Sequence, residues 1–314
     1  MNKWILIIVV VSCISCGKDE VVLDADAQIS AWLDSVGVTA NRDASGIYFY
    51  PITSNPAGQV VASEDVVAVY YQLFDIQNNL LASHQRVNGD SLLFKHNVSA
   101  VYPVGIDVVV ATMRVGEVYM CLLPPSQAYA DLSSGSLPAN DPVRLEVEVV
   151  GISAEADLYA DELTMINDYI VTNDLNNTIT NPLDPVQQFP SGIAYKRLSA
   201  GTGTTPINGD TIVVNYVSTF LSSGGAVFSE NGFEWIYGSN YPRPLAVGFE
   251  FAVSQMQTNE SALFLIPSSQ AYRESVLVIP QGIVSELIED EVIPDYVASV
   301  PPYSPLIFNI TRVD

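Results

Sequence analysis

The sequence predicts an α+β fold used twice: a helix, then strands, one short helix, then more strands. Three observations carry this. First, the stretch LLPPSQAYADL at 122–132 is echoed by LIPSSQAYRES at 265–275, with Pro124, Ser126, Gln127, Ala128 and Tyr129 recurring 143 residues later as Pro267, Ser269, Gln270, Ala271 and Tyr272. Second, a helical stripe precedes a Ser-Gly-Ile triplet in both halves, at Ser45–Gly46–Ile47 and Ser191–Gly192–Ile193. Third, a long run suited to a strand follows each triplet, at 65–74 and 209–220. A spacing of 143 residues holds a whole domain, and a chain of 314 residues suits two.

In each copy of the repeat an apolar run, 119–123 or 262–266, leads through a proline to a tyrosine at the start of a loop. One reading is a strand that delivers a tyrosine to a cavity mouth. The other is a core tyrosine at a strand end. Repetition in matching context favours the first.

Taken in order, the first unit opens with a helix capped in 24–26, its stripe formed by Ile29, Trp32, Leu33 and Val36. Strands follow at 47–52, 65–74, 92–94, 117–123 and 143–152, with turns at 55–58 and 77–79 and a loop at 131–140. A short helix is expected at 108–113. In the second unit Leu163, Ile166, Tyr169 and Ile170 form a helical stripe with Asp161 as its cap. The Asn-, Pro- and Thr-rich tract 176–190 is a loop. The second short helix is expected at 253–256 and the last strand at 306–313.

Charge narrows the partners. Twelve Lys and Arg stand against 35 Asp and Glu, which argues against nucleic acid, because phosphate contacts need clustered cations. The acidity reads as a solubility feature. Residues 1–15 read as a lipoprotein signal peptide: Lys3, an apolar run from Trp4 to Val11 too short to span a membrane, then Ile14-Ser15-Cys16. Cys16 is the expected lipidation site, with Cys13 as its rival; an ordinary secretory signal is the alternative. Gly17-Lys18-Asp19-Glu20 resembles an export tag of Bacteroidetes surface lipoproteins. The expected location is thus the bacterial cell envelope, lipid-anchored in the outer membrane and, on that tag, surface-exposed. Cys121 remains inside a fold, where a lone cysteine is a small buried hydrophobe. No Cys/His spacing suggests zinc. Glu286, Glu289, Asp290 and Glu291 lack the spacing of a calcium loop and read as a solvated helix face. No metal and no cofactor are expected.

These residues resemble the FKBP-type peptidyl-prolyl cis-trans isomerases. In the first unit the likeness rests on Val67-Ala-Val69-Tyr-Tyr71, Gly105, Met113-Arg-Val-Gly-Glu117 and 124–129. In the second it rests on Gly209-Asp210, Val214-Asn-Tyr216, Phe228, Gly248, Gln255-Met256 and 267–272. The resemblance implies two modules, each a curved antiparallel sheet wrapped on a short helix and preceded by an N-terminal helix. The implied boundaries are an anchor linker and helix at 16–44, a first module at 45–152, a linker and helix at 153–190, and a second module at 191–314.

The resemblance also implies where pockets lie. The family's floor tryptophan corresponds to Ile106 in the first module and Phe249 in the second. Its Phe-Asp pair becomes Leu81-Ala82 and Phe228-Ser229; its last-strand aromatic becomes Leu145 and Phe308. The glycine after the loop tyrosine becomes Ala130 and Arg273. The first pocket, formed by Tyr71, Leu81, Ala82, Tyr102, Ile106, Tyr129 and Leu145, is therefore degenerate. The second gathers Tyr216, Phe228, Ser229, Leu245, Ala246, Phe249, Tyr272 and Phe308 into an aromatic cup, with Tyr272, Phe249 and Phe228 as the implied catalytic group. A long flap at 273–303, expected to cover the cup or meet a partner, distinguishes the second module.

The chemistry implied is rotation about X–Pro bonds, whose barrier of about 18–20 kcal/mol falls when an apolar pocket desolvates the amide. It needs neither nucleophile nor metal, and His84 and His96 fall in no triad motif. The expected partners are proline-containing segments of exported proteins and, through the anchor, a membrane; the chain is expected to be a monomer. Two functions stay open: an isomerase or isomerase-like folding helper with activity in the second module, and a catalytically inactive interaction lipoprotein on the same scaffold.

Overall fold

The structure is a computed structural model that describes residues 24–132, 137, 139–177, 185–240, 245–294 and 300–314, and only the backbone at 226 and 228. The lipidation site expected at Cys16 and the rest of the leader lie outside the described residues.

The first half runs α1 (Ala25–Val36), β1 (Asn41–Arg42), β2 (Tyr48–Thr53), β3 (Val66–Asp75), β4 (Leu80–His84), β5 (Leu92–Lys95), β6 (Val101–Tyr102), α2 (Gly105–Val110), β7 (Val118–Leu123) and β8 (Val143–Ser153). The second runs α3 (Glu155–Thr172), β9 (Gln187–Gln188), β10 (Ala194–Ser199), β11 (Thr211–Phe220), β12 (Ala226–Ile236), α4 (Val247–Ser254), β13 (Ser261–Ile266), β14 (Leu277–Val278), α5 (Val284–Glu289) and β15 (Leu306–Arg312). One sheet has the order β1-β2-β7-β8-β3-β4, with β5 also on β3; the other has the order β12-β11-β15-β13-β10-β9. The pairings within both sheets are antiparallel. The fold is thus the α+β arrangement expected, present twice.

Alternation explains how each sheet serves two layers. In β13, Ala262, Phe264 and Ile266 face the core shared with Phe249, Ala252 and Val253 of α4. Leu263 and Leu265 face the other way and meet Ile166 and Ile170 of α3. In the first half Ile106, Val109 and Val110 of α2 fill the inner face. Ile29 and Leu33 of α1 pack on Met120 and Leu122 outside. Asp24 caps α1 by accepting from the amide of Ala27 at 2.8 Å, and Gly37 closes it at φ 68°.

Several expected elements shift. Both short helices begin earlier than 108–113 and 253–256, and each has a glycine in its first turn: a Cβ on Gly105 would lie 2.5 Å from the Gln127 carbonyl oxygen, and one on Gly248 2.7 Å from that of Gln270. This close approach seats α2 and α4 against the repeated Pro-to-Tyr loop. Helix α3 begins at Glu155, so Asp161 lies within it and is not its cap; Glu155 and Asp157 occupy the first turn, where carboxylates suit the helix dipole. Strands β4 and the eleven-residue β12 form where the residue pattern predicts no element.

The flap does not stay with its own module. Strand β14 pairs in parallel with β6 of the first half, Leu277 opposite Val101 and Val278 opposite Tyr102. The peptide bonds Tyr102–Pro103 and Ile279–Pro280 are cis. Leu277, Val278, Ile279, Ile283, Leu287 and Ile293 are all buried in the first module's core. Glu155 ties the same junction by its carboxylate, which accepts from Lys95 at 3.0 Å, Tyr159 at 2.9 Å and Tyr303 at 3.3 Å. Burial pushes its pKa up, but these hydrogen bonds and the Lys95 charge leave it below the usual glutamate value.

Candidate functional site

The second module brings its aromatic residues together. Phe249 sits at the start of α4 and is 4% exposed. Its ring lies 5.0 Å from Tyr216, 5.3 Å from Phe308 and 5.9 Å from Trp235 between centroids. These edge and tilted contacts suit the quadrupoles of the rings. Phe233 adds a contact of 6.1 Å to Tyr216 and stacks on Trp235 at 5.4 Å. Neither Phe233 nor Trp235 was singled out from sequence, although they alternate at strand spacing in 226–236. Asn231-Gly232, a dipeptide typical of turns, lies inside this strand, with Gly232 at φ 70°.

Most of this cluster is filled core, so what remains open lies at its rim. A cavity of about 390 Å³ is bounded by Leu245, Ala246, Val247, Ala271 and Tyr272 of the second module. Its far wall comes from Val98, Ser99 and Ala100 of the first. Tyr272, Leu245 and Ala246 are thus brought to one opening, while Phe249, Tyr216 and Phe308 lie behind it. Ser229 is exposed on β12, and the Phe228 side chain lies outside the described residues. Glu162 of α3 holds the turn before Tyr272: its buried carboxylate accepts from the Ser268 amide at 2.7 Å and hydroxyl at 2.5 Å. Burial raises its pKa, and the two Ser268 hydrogen bonds only partly offset this.

The corresponding residues of the first module surround a filled space. Tyr71, Ile106, Tyr129 and Leu145 are buried, with Leu81, Ala82 and Tyr102 packed at the margin. Tyr102 and Tyr129 meet edge to face at 5.9 Å. The occupant is the flap. The Tyr129 hydroxyl donates to the carbonyl oxygen of Ile279 at 2.6 Å. The Ile279 amide donates to the Tyr102 carbonyl at 2.8 Å, and the Leu277 amide to that of Ala100 at 2.9 Å. Burial first, then the neighbouring Tyr71 and Tyr102, push the Tyr129 pKa far up, so it remains a donor. Burial also raises Tyr71, to about 12.

The model of the family described as FKBP-type peptidyl-prolyl cis-trans isomerase matches residues 58–150 and 203–312, more than half of the chain. The chain belongs to this family.

Comparison with curated proteins gives no match. Solved structures similar to it include the three FKBP domains of wheat FKBP73, at 18% identity and a TM-score of 0.32, covering 88% of this chain and 98% of that one. The peptidyl-prolyl cis-trans isomerase of Pseudomonas syringae pv. tomato is similar at 20% identity and a TM-score of 0.33, covering 52% and 96%. FkpA of Escherichia coli is similar at 18% and 0.33, covering 51% of this chain and 63% of that one.

As FKBP modules the two halves share backbone detail at the motif. Where the family has glycine after the loop tyrosine, Ala130 and Arg273 both adopt positive φ, 50° and 49°. The left-handed turn is therefore kept without its usual residue. Glu117 and its repeat Glu260 each tie down the turn before them: Glu117 accepts from the amides of Arg114 at 2.9 Å and Asn55 at 3.0 Å, Glu260 from that of Gln257 at 3.0 Å and from the Tyr195 hydroxyl. His96 pairs with Asp107 at 2.6 Å, and His84 stacks on Tyr70. Cys121 is free and buried, its thiol pushed up by that burial. Among the described residues no group of His, Cys, Asp and Glu is placed to hold a metal ion, and no helix is long and apolar enough to cross a membrane.

Proposed function

We propose that this FKBP-family chain is a lipid-anchored peptidyl-prolyl isomerase, or isomerase-like folding helper, acting on proline-containing segments of exported proteins at the cell envelope. The second module carries the activity. The anchor reading rests on the leader and Ile14-Ser15-Cys16, which would hold the chain in the outer membrane.

One observation carries the catalytic part: the open cavity of about 390 Å³ at Tyr272, Leu245 and Ala246. A proline ring entering there meets apolar side chains and leaves water. Loss of water weakens the charge-separated planar amide, which lowers the barrier to rotation without breaking any bond. The Tyr272 phenol supplies a donor for the carbonyl. The repeat supports that role, because its counterpart Tyr129 donates to the carbonyl of Ile279, the residue before Pro280.

The second reading, an inactive interaction module, is favoured by the closed packing of Phe249 and by serine at 229 in place of the family's aspartate. An isomerisation assay on a proline peptide separates the two. The full chain is the right sample, because the flap shares a core with the first module. Catalysis above the uncatalysed rate, reduced about 2- to 10-fold in Tyr272→Phe, supports the isomerase. A rate equal to the uncatalysed one supports the interaction reading.

A further inference from the structure

The first module's pocket is filled from within the chain. The residues that the family resemblance assigns to its walls surround a strand from the other module. Recognition has the two parts expected of peptide capture. Backbone pairing comes from β14 on β6, with Leu277 and Ile279 donating to Ala100 and Tyr102. Side-chain recognition comes from burial of Leu277, Val278 and Ile279, each at most 3% exposed, against aliphatic neighbours such as Ile106. The Tyr129 hydroxyl reads the carbonyl that precedes Pro280.

We propose that Leu277–Ile279 of the second module is an internal ligand that holds the first module's pocket closed to external peptide segments. Ile106 and the branched side chains of 277–279 belong to the same buried aliphatic core. An external segment of the same kind, aliphatic residues followed by proline, enters only when the flap withdraws. Because flap and pocket share one chain, the internal ligand acts at a high effective concentration and keeps the site closed at rest. This inference does not depend on catalysis at Tyr272.

The test uses a labelled peptide Val-Leu-Val-Ile-Pro-Gln, the sequence of 276–281, and the full chain carrying Tyr272→Phe to weaken the other opening in parent and variant alike. Against this background the double substitution Leu277→Ser with Ile279→Ser releases the flap. Binding should be at least 10-fold tighter in the released variant than in its parent. Adding Tyr129→Phe should weaken it about 2- to 10-fold, the effect of one hydrogen bond. Equal binding by parent and released variant, with the released chain folded by circular dichroism, overturns the proposal. Should the released variant fail to fold, hydrogen exchange on the unsubstituted chain decides. Saturating peptide must speed exchange of the Leu277 and Ile279 amides; unchanged exchange overturns the proposal.

Discussion

The hydroxyl of Tyr129 donates to the carbonyl of Ile279 across 2.6 Å, although 150 positions separate them in the chain. This bond joins the conserved-in-repeat tyrosine of one module to the flap of the other. It makes the two modules one cooperative structure at that point, since the flap's apolar residues belong to the first module's core.

Tyr129→Phe removes the donor and leaves a buried carbonyl unpaired. The expected loss is about 1–3 kcal/mol, more than the net worth of an exposed hydrogen bond. Urea unfolding of the full chain measures it. A midpoint unchanged from the parent would show that the bond contributes nothing.

Ile279→Ala should destabilise the first module, although the residue lies in the second. Ile279 is 1% exposed, and truncation of such a side chain costs about 2–5 kcal/mol. Hydrogen exchange in β3 reads the effect, with faster exchange at 66–75 expected. A change confined to the flap itself would contradict the shared core.

Glu162 predicts a pH dependence. Burial raises its folded pKa above the ordinary value of 4.5, with the Ser268 hydrogen bonds pulling the other way. The fold therefore disfavours the ionised form. The contribution of this group is fully present below pH 4.5 and is lost as pH rises through the folded value. Glu162→Gln keeps an acceptor for Ser268 and removes the charge, so its stability should not show that decline. Denaturant titrations of parent and variant from pH 4 to 8 should diverge as pH rises; parallel curves would refute the assignment.

Ala130→Gly should stabilise the first module. Ala130 holds φ at 50°, a conformation costing a residue with a Cβ about 1–2 kcal/mol. Glycine's larger unfolded-state entropy offsets about 0.5–1 kcal/mol of that relief. A net gain of about 0.5 kcal/mol is expected by thermal unfolding, and a loss would show that the left-handed turn is not strained there.

Much of the molecule was legible in its residues. Period-2 and period-3.6 patterns located β3, β8, β11 and the two N-terminal helices, because one-sided burial imposes those periods directly. The repeated Pro-to-Tyr stretch identified the doubled fold. Local pattern failed where local signals conflict: Asn231-Gly232 concealed β12, and the branched residues after Gly105 blurred the start of α2.

By itself the sequence determined the repeat and the family pattern. Only the tertiary structure decided what fills the interior of each module. The aromatic residues of the second module satisfy one another and leave an opening at Tyr272, beside Val98–Ala100 of the first. The first module's pocket receives 277–280 because an apolar strand with unpaired amides gains both burial and backbone partners at β6. A pairing between segments some 175 residues apart leaves no periodic mark in either segment, so no reading of composition or spacing reveals it.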